Sequence, residues 1–222
     1  MSSGSRAMST TGYAILGLLA IRPWSSYALT KQIRRSLHYL WPRAESNVYA
    51  EAKRLVDAGL ATTEEERNGK RVRTVYSITP DGQQALERWL GSESAPSRFE
   101  SETLVKVFFG NVGTKAELLA NLRRFADEAA AAQQFWKFPA DEYIHGTHPF
   151  PERVHVNALL FRWLWDQAET NRRWAEWAMQ QVKTWPDVTF PTDVDESLRV
   201  FREALLALYQ SVGEVEDPDS RP

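Results

Sequence analysis

The chain has 222 residues, 43 % of them hydrophobic, and it contains no cysteine. This is enough for a buried core in one large or two small domains, and it excludes disulfides, thiolate metal ligands and cysteine nucleophiles. No apolar run approaches the roughly 20 residues of a membrane span, and the start lacks the hydrophobic stretch of a secretory signal, so we expect a cytoplasmic protein. We interpret residues 1–8 as a flexible start or an expression scar.

Charge is distributed unevenly along the chain, although the net charge is only -2. Residues 1–91 contain 13 lysines and arginines and 8 acidic residues, a net charge of +5, whereas residues 92–222 contain 14 and 21, a net charge of -7. A positive domain suits a polyanion, because phosphate neutralisation and counterion release supply most non-specific affinity for DNA. A surplus of five charges is also common on solvated surfaces, so charge alone leaves both interpretations open.

Two short helices are predicted first. Thr10 or Thr11 can cap the first helix, which ends near Pro23 because proline disfavours its continuation. Ser25 or Ser26 can cap the second helix. Its apolar residues repeat every four positions, at Leu29, Ile33 and Leu37. The basic residues away from this stripe are Lys31, Arg34 and Arg35.

A third helix is predicted from Glu45 to the closing glycine, Gly59. The residues expected to face inward are Val48, Ala52, Leu55 and Val56. The opposite side presents Asn47, Tyr49, Ala50, Lys53 and Arg54. The short side chain of Ala50 permits close approach to a major groove about 12 Å wide, so that Asn47, Tyr49 and Lys53 can reach bases or phosphates.

Beyond Gly59 the hydrophobic period becomes strand-like, which indicates a β-hairpin around the turn Asn68-Gly69. Alternate residues of the second strand point to opposite faces, and we expect one face to pack against the rest of the domain: Val72, Thr74, Tyr76 and Ile78. The residues on the other face of this strand are expected to be exposed to solvent: Arg71, Arg73, Val75 and Ser77. The basic residues around the tip are Arg67, Lys70, Arg71 and Arg73. Thr79 and Pro80 then predict the capped start of a fourth helix through Leu86, Trp89 and Leu90.

Three helices followed by a basic hairpin and another helix predict a winged helix-turn-helix, with the third helix in the major groove and the hairpin as the wing. Residues 46–49 (SNVY) and 55–60 (LVDAGL) resemble the recognition helix of the PadR regulators, and residues 75–82 (VYSITPDG) resemble the wing strand and exit motif of that family. Residues 14–19 (AILGLL) and 26–29 (SYAL) are similar to its first two helices, with Ser26 in place of the usual glycine. The resemblance covers about the first ninety residues. It implies a homodimeric repressor of the phenolic-acid-response type, sometimes released by a small molecule.

The predicted DNA-binding residues lie on the second and third helices and on the wing. They are Lys31, Ser46, Asn47, Tyr49, Ala50, Lys53, Arg54, Arg67, Asn68, Lys70, Arg71 and Arg73. Arginines on a hairpin are also typical of a merely soluble edge, and either tyrosine of this region could be a packing residue. We favour DNA contact for Tyr49, beside Lys53, and packing for Tyr76, which shares its phase with Ile78.

The second half is predicted to be helical. A polar linker, residues 92–97, separates a DNA-binding domain at residues 9–91 from a helical dimerisation and effector domain at residues 98–213, and residues 214–222 are expected to be a disordered tail. Residues 102–109 predict a short helix that resembles the start of the C-terminal domain in the virulence-activator-like branch of the family. Thr114 and Glu117 form a capping box for the next helix, which we expect to stop near Pro139.

A long helix is then predicted from about Pro151 to Trp185, ended by Pro186. The residues expected on its broad apolar stripe are Val156, Trp163, Thr170, Trp174 and Trp177. A final helix carries an apolar seam at alternating spacings of three and four, which needs a partner helix from the same chain or from a second subunit. The predicted dimerisation residues are Leu104, Phe108, Leu198, Phe201, Leu205, Leu208 and Val212.

Two features of this half raise hypotheses about ligands. The chain has nine tryptophans, and an aromatic pocket for a flat effector is one interpretation, although apolar stripes at helical spacing are ordinarily core or dimer seam. His145, His148 and His155 lie near acidic residues and could supply metal ligands, but their irregular spacing favours solvated polar residues. We assign no metal or cofactor. The sequence has no phosphate-binding loop and no nucleophile elbow, so we do not expect an enzyme.

The leading hypothesis is a mostly α protein with a small β-hairpin wing: a winged helix-turn-helix domain joined to a helical dimerisation domain. It would be a repressor that binds double-stranded DNA at a palindromic operator as a homodimer, with a small aromatic effector as a further partner. One alternative is a protein-interaction module that uses the winged helix as a scaffold. The other is a ligand-dependent or metal-dependent enzyme seated in the helical half.

Overall fold

The structure is a computed structural model that describes residues 8–37, 40–41, 45–68, 71–97, 99–189 and 194–212. It is mostly helical with a small antiparallel sheet, which confirms the predicted fold class. The contacts divide it into two compact units between residues 97 and 98. No helix of the described residues combines the length and the apolar character of a membrane span.

The first unit contains four helices and three strands. They are α1 (Thr10–Ile21), β1 (Trp24–Ser25), α2 (Ser26–Leu37), α3 (Glu45–Asp57), β2 (Ala61–Asn68), β3 (Arg71–Ile78) and α4 (Pro80–Leu90). The second unit contains α5 (Glu102–Phe108), α6 (Lys115–Ile144), α7 (Val154–Thr184) and α8 (Val194–Val212). Short 3-10 turns at Gly110–Val112 and Pro151–Arg153 precede α6 and α7.

The core of the first unit forms where α1 packs against α3, α4 and β3. Its buried side chains include Ile15, Leu16, Leu29, Ile33, Val48 and Leu55. The predicted cap of α1 is wrong by one residue, because the hydroxyl of Ser9 accepts the Gly12 amide at 3.1 Å. Ser25 accepts the Ala28 amide at 3.3 Å at the start of α2, as predicted.

The sheet has the order β1-β3-β2, and the sequence did not predict β1. Trp24 and Ser25 pair with Tyr76 and Val75 of β3. The buried indole of Trp24 also donates to the carbonyl of Leu18 at 2.8 Å. These contacts fix the base of the wing to the end of α1.

The prediction of which residues of β3 are buried and which are exposed is wrong in the middle of the strand. Val75, expected on the displayed side, is buried at 8 % exposure, whereas Val72 and Thr74 are exposed. The reason is tertiary, since α1, α2 and β1 all contact β3, and Val75 pairs with Ser25 of β1. Asn68 is paired with Arg71 at the ends of the two strands, and the remainder of the predicted turn, Gly69, lies outside the described residues.

In the second unit, α6 and α7 pack against each other as an antiparallel pair. The residues of α7 that are buried are Leu164, Ala168, Ala175, Ala178 and Val182. The predicted stripe is therefore wrong at four of its five positions, because Trp174 is partly buried but the others are exposed: Val156, Trp163, Thr170 and Trp177. Alanines allow the two helix backbones to approach closely, and this places the bulky aromatic side chains at the flanks of the contact.

The capping box of α6 is confirmed, because the Thr114 amide donates to Glu117 at 2.8 Å and the Glu117 amide donates to the Thr114 hydroxyl at 3.2 Å. The first of these bonds favours the ionised carboxyl, and the pKa of Glu117 is lowered. The predicted end of α6 is wrong, since the helix continues through Pro139 to Ile144. Proline removes one helical hydrogen bond at a cost of about 3 kcal/mol, and the packing of α6 along α7 offsets that loss.

Candidate nucleic-acid interface

α3 presents one side to the core and the other to solvent. Val48, Ala52 and Leu55 are each 2 % exposed, as their spacing predicts. The residues on the solvent side are Asn47, Tyr49, Ala50, Lys53 and Arg54, and all of them are exposed. The side chain of Ser46 lies outside the described residues. The outer side of α3 is therefore a continuous surface of polar and small residues, which we call the α3 face.

The C-terminal end of α3 is held by a Schellman motif. The Leu60 amide donates to the Leu55 carbonyl at 2.9 Å and the Gly59 amide donates to the Val56 carbonyl at 3.0 Å. Gly59 has φ +70°, a value that glycine adopts without steric cost.

Thr79 connects this end of α3 to the start of α4. Its hydroxyl donates to the Gly59 carbonyl at 2.7 Å and accepts the Gly82 amide at 3.0 Å, and its own amide donates to the Leu60 carbonyl at 3.1 Å. The predicted cap at Thr79 is thus confirmed. The same residue also holds the C-terminal end of α3 against the start of α4 and so helps to orient α3.

Glu51 connects α3 to the start of α1. Its carboxylate accepts the Ser9 hydroxyl at 2.7 Å and Arg54 Nη1 at 3.0 Å. The Glu51 side chain is only 13 % exposed, so this bond contributes to the orientation of α3. The charge of Arg54 is already paired within the protein, which leaves Lys53 as the stronger cation of the α3 face.

The wing carries charges of both signs. Arg67 and Arg73 are exposed, but Arg73 forms a two-pronged ion pair with Glu66, at 2.7 and 3.1 Å. Glu64, Glu65 and Glu66 are all exposed on β2. This run of three glutamates is plain in the sequence, and it offsets the arginines on which the prediction of a basic wing was based. The wing is consequently less positive than its arginines alone indicate. The other predicted wing residues have side chains outside the described residues: Asn68, Lys70 and Arg71.

Two further predicted positions lie beside these elements. Lys31 is exposed on α2, the helix that precedes α3 in the chain. Tyr76 is half-buried on β3 opposite Trp24, in agreement with a packing role, whereas Tyr49 is 43 % exposed.

The predicted dimerisation residues are mostly on the surface of the second unit. Those with exposed side chains are Phe108, Leu198, Phe201, Leu205 and Leu208. Leu104 is half-buried, and the side chain of Val212 lies outside the described residues. α8 therefore has an apolar seam that faces solvent in the single chain.

The histidines between α6 and α7 are engaged by their own turn. His148 Nδ1 accepts the Phe150 amide at 3.1 Å, and its ring stacks on Tyr143 with centroids 3.6 Å apart. His145 Nδ1 lies 2.8 Å from the Asp141 carbonyl. Among the described residues, no group of three or more His, Asp or Glu side chains is arranged to hold a metal ion.

Comparisons with known proteins agree with this geometry. Residues 15–88 match the model of the transcriptional regulator PadR-like family. The negative transcriptional regulator PadR of Bacillus subtilis is 32 % identical over 99 residues, which cover 44 % of this chain and 54 % of that protein. The chain thus aligns with about half the length of this relative.

Solved structures of similar fold extend over more of the chain. The crystal structure of Bacillus subtilis PadR in complex with operator DNA has a TM-score of 0.67 at 22 % identity, covering 78 % of this chain and 99 % of that one. The crystal structure of the same protein with p-coumaric acid has a TM-score of 0.64 at 22 % identity, covering 82 % and 100 %. At such identities these structures show a shared fold. Residues 15–88 of this chain are therefore similar to the transcriptional regulator PadR-like family, in agreement with the family predicted from its motifs.

Proposed function

We propose that this chain is a transcriptional repressor that binds a palindromic operator as a homodimer and is released by a small-molecule effector. The observation that carries the proposal is the α3 face. Its residues are exposed to solvent, whereas Val48, Ala52 and Leu55 on the opposite side of the helix are each only 2 % exposed. Such a helix can enter a major groove without rearrangement of the core. A related protein is named a negative transcriptional regulator, and a protein of the same fold was crystallised with operator DNA.

Within this proposal, residues 9–91 form the DNA-binding domain and α3 is its recognition helix. Asn47 is positioned to read base edges, because its amide carries a donor and an acceptor. Lys53 and Lys31 neutralise phosphates, and the small Ala50 permits close approach. The remaining proposed DNA contacts are Ser46, Tyr49, Arg54, Arg67, Asn68, Lys70, Arg71 and Arg73.

Residues 98–213 form the proposed dimerisation and effector domain. The exposed seam of α8 repeats at spacings of three and four residues, which is the pattern of a helix that packs against another helix. Phe108, 79 % exposed on α5, enlarges the apolar surface that a second copy would cover. Two winged helices related by a twofold axis would read half-sites about 34 Å apart, and an effector would act by favouring a dimer with a different spacing.

The experiment that tests this function is a gel shift with the DNA upstream of the gene of this protein, at two salt concentrations and with unspecific competitor DNA. We expect a specific complex with two chains per operator and an affinity that falls as salt rises. We expect Lys53→Ala to weaken binding to all DNA sequences and to reduce the salt dependence, because one phosphate contact is lost. Asn47→Ala should instead reduce discrimination between operator variants. A complete absence of a specific shift would favour the protein-interaction alternative.

The ion pair between Glu66 and Arg73 gives a second prediction for the wing. Glu66→Gln should increase DNA affinity by roughly two- to five-fold, since it frees Arg73 and removes a negative charge, and an exposed pair is worth about 0.2–1 kcal/mol. Fluorescence anisotropy with labelled operator DNA at low salt measures this change.

The matched control is Glu65→Gln, which removes the same charge from the neighbouring exposed residue on the opposite side of β2. The control should increase affinity less than Glu66→Gln. Equal gains from the two variants would show that only net charge matters and that the pairing of Arg73 has no role.

A further inference from the structure

A cleft of about 500 Å³ lies within the second unit, between the end of α5, the start of α6 and the last turns of α7. Four aromatic residues line it: Phe108, Trp174, Trp177 and Trp185. We call this space the α5–α7 cleft. Its volume lies within the range of about 300–1,000 Å³ that is typical of small-molecule sites, so it has room for about two or three aromatic rings.

Two of the aromatic residues, Trp174 and Trp185, are in segments held by neighbouring residues. Trp174 packs edge to face against Phe125, with ring centroids 5.4 Å apart. The ammonium of Lys115 donates to the carbonyl of Lys183 at 2.8 Å and also to that of Trp185, which fixes the segment after α7. Trp177 is 44 % exposed at the edge of the cleft. Flat walls that are already positioned stack a planar ligand at a small entropic cost.

The polar lining is uncharged. It consists of Asn111, Gln181, Thr189 and Ser197, and the described lining includes no charged side chain. Gln181 is half-buried, and its side-chain amide forms no hydrogen bond with any described residue. That amide therefore has a donor and an acceptor available to a ligand.

Charge selects among the ligands that would fit these walls. An anion that entered the cleft would lose hydration without gaining a cationic partner from the described lining, which is costly. The net charge of -7 over residues 92–222 also disfavours the approach of anions. An uncharged ligand has neither cost.

We propose that the α5–α7 cleft binds an uncharged, planar aromatic molecule, stacked on its tryptophans and hydrogen-bonded by Gln181. This cleft would be the binding site of the effector in the proposed function. Only its role in regulation rests on that function, because the binding itself needs no DNA. Binding is measured without DNA. The variant Ala50→Glu, altered on the α3 face, should bind the ligand as the parent does, so a failure of DNA binding and a failure of this site are distinguishable.

The test compares two fluorescent probes that share one aromatic skeleton. N-phenyl-1-naphthylamine is uncharged, whereas 8-anilino-1-naphthalenesulfonate carries a sulfonate. Titration of the full chain should give one bound molecule of the neutral probe and an affinity for the anionic probe at least about tenfold lower, equivalent to about 1.4 kcal/mol. Equal or tighter binding of the anionic probe, or no binding of the neutral probe, would overturn the proposal.

Two variants locate the bound probe. Trp177→Ala should weaken the neutral probe about tenfold, while Trp163→Ala, a similarly exposed tryptophan of the same helix outside the cleft, should leave it unchanged. Gln181→Arg should strengthen the anionic probe about tenfold, because it supplies the missing cation. Unchanged binding in Trp177→Ala or in Gln181→Arg would place the probe elsewhere and overturn the assignment.

Discussion

Gly82→Ala should destabilise the first unit by about 3 kcal/mol, the upper end of the usual cost of overpacking. A Cβ at this position would lie 2.1 Å from the carbonyl oxygen of Leu60 and 2.9 Å from the side chain of Ile78. The carbonyl is backbone, and it already accepts the Thr79 amide, so it cannot move without loss of the contact between α3 and α4. Chemical denaturation followed by circular dichroism measures the loss.

The matched control is Gly17→Ala, in the middle of α1. A Cβ there would meet no heavy atom within 4 Å. The substitution should therefore stabilise the helix by about 0.5–1 kcal/mol, because alanine loses less backbone entropy than glycine. If Gly82→Ala proved as stable as the parent, the close approach of α4 to the end of α3 would be disproved, and with it our account of how α3 is oriented.

Ala50→Glu should abolish specific DNA binding, with a loss of at least about 100-fold. The position is exposed at the middle of the α3 face, so a larger, negatively charged side chain would meet the groove and its phosphates directly. Like charges brought together at an interface cost several kcal/mol, and about 3 kcal/mol corresponds to a factor of about 100. Anisotropy titration with operator DNA measures the affinity.

The fold should be unaffected by this substitution, because surface changes of this type are usually within about 0.5 kcal/mol and glutamate is a good helix former. Ala95→Glu makes the same change at an exposed position of the linker between the two units and should preserve DNA binding. Retention of operator affinity in Ala50→Glu would mean that the α3 face is not the DNA-binding surface, and the repressor proposal would fail.

Sequence patterns were accurate where a few neighbouring residues decide the structure. The capping box of Thr114 and Glu117, the Thr79-Pro80 helix start and the closing Gly59 all follow from local hydrogen bonding and backbone preference. The inward and outward sides of α3 followed from helical spacing, so the spacing alone was enough to predict its exposed polar residues.

The predictions from sequence were wrong where the structure depends on contacts with residues far away in the chain. β1 is only two residues long, and its partner strand lies some fifty positions later. The burial of Val75 depends on the contacts of β3 with α1 and α2, which lie far from it in the sequence. The extension of α6 through Pro139 depends on its packing with α7, which no property of the proline itself indicates.

The sequence by itself determined the order of the helices and of the hairpin, the helix starts at Thr79 and Thr114, the closing Gly59 and the exposed residues on α3, because caps, turns and hydrophobic spacing act over a few residues. The family followed from the resemblance of short motifs. Only the tertiary structure decided that the Glu51 carboxylate accepts the hydroxyl of Ser9 on the first helix, and that the register of β2 and β3 places Glu66 beside Arg73. It alone also brought the tryptophans of α7 together with α5 as an uncharged cleft. Such contacts and cavities depend on strand register and on how the helices pack, which hydrophobic spacing along the chain does not specify.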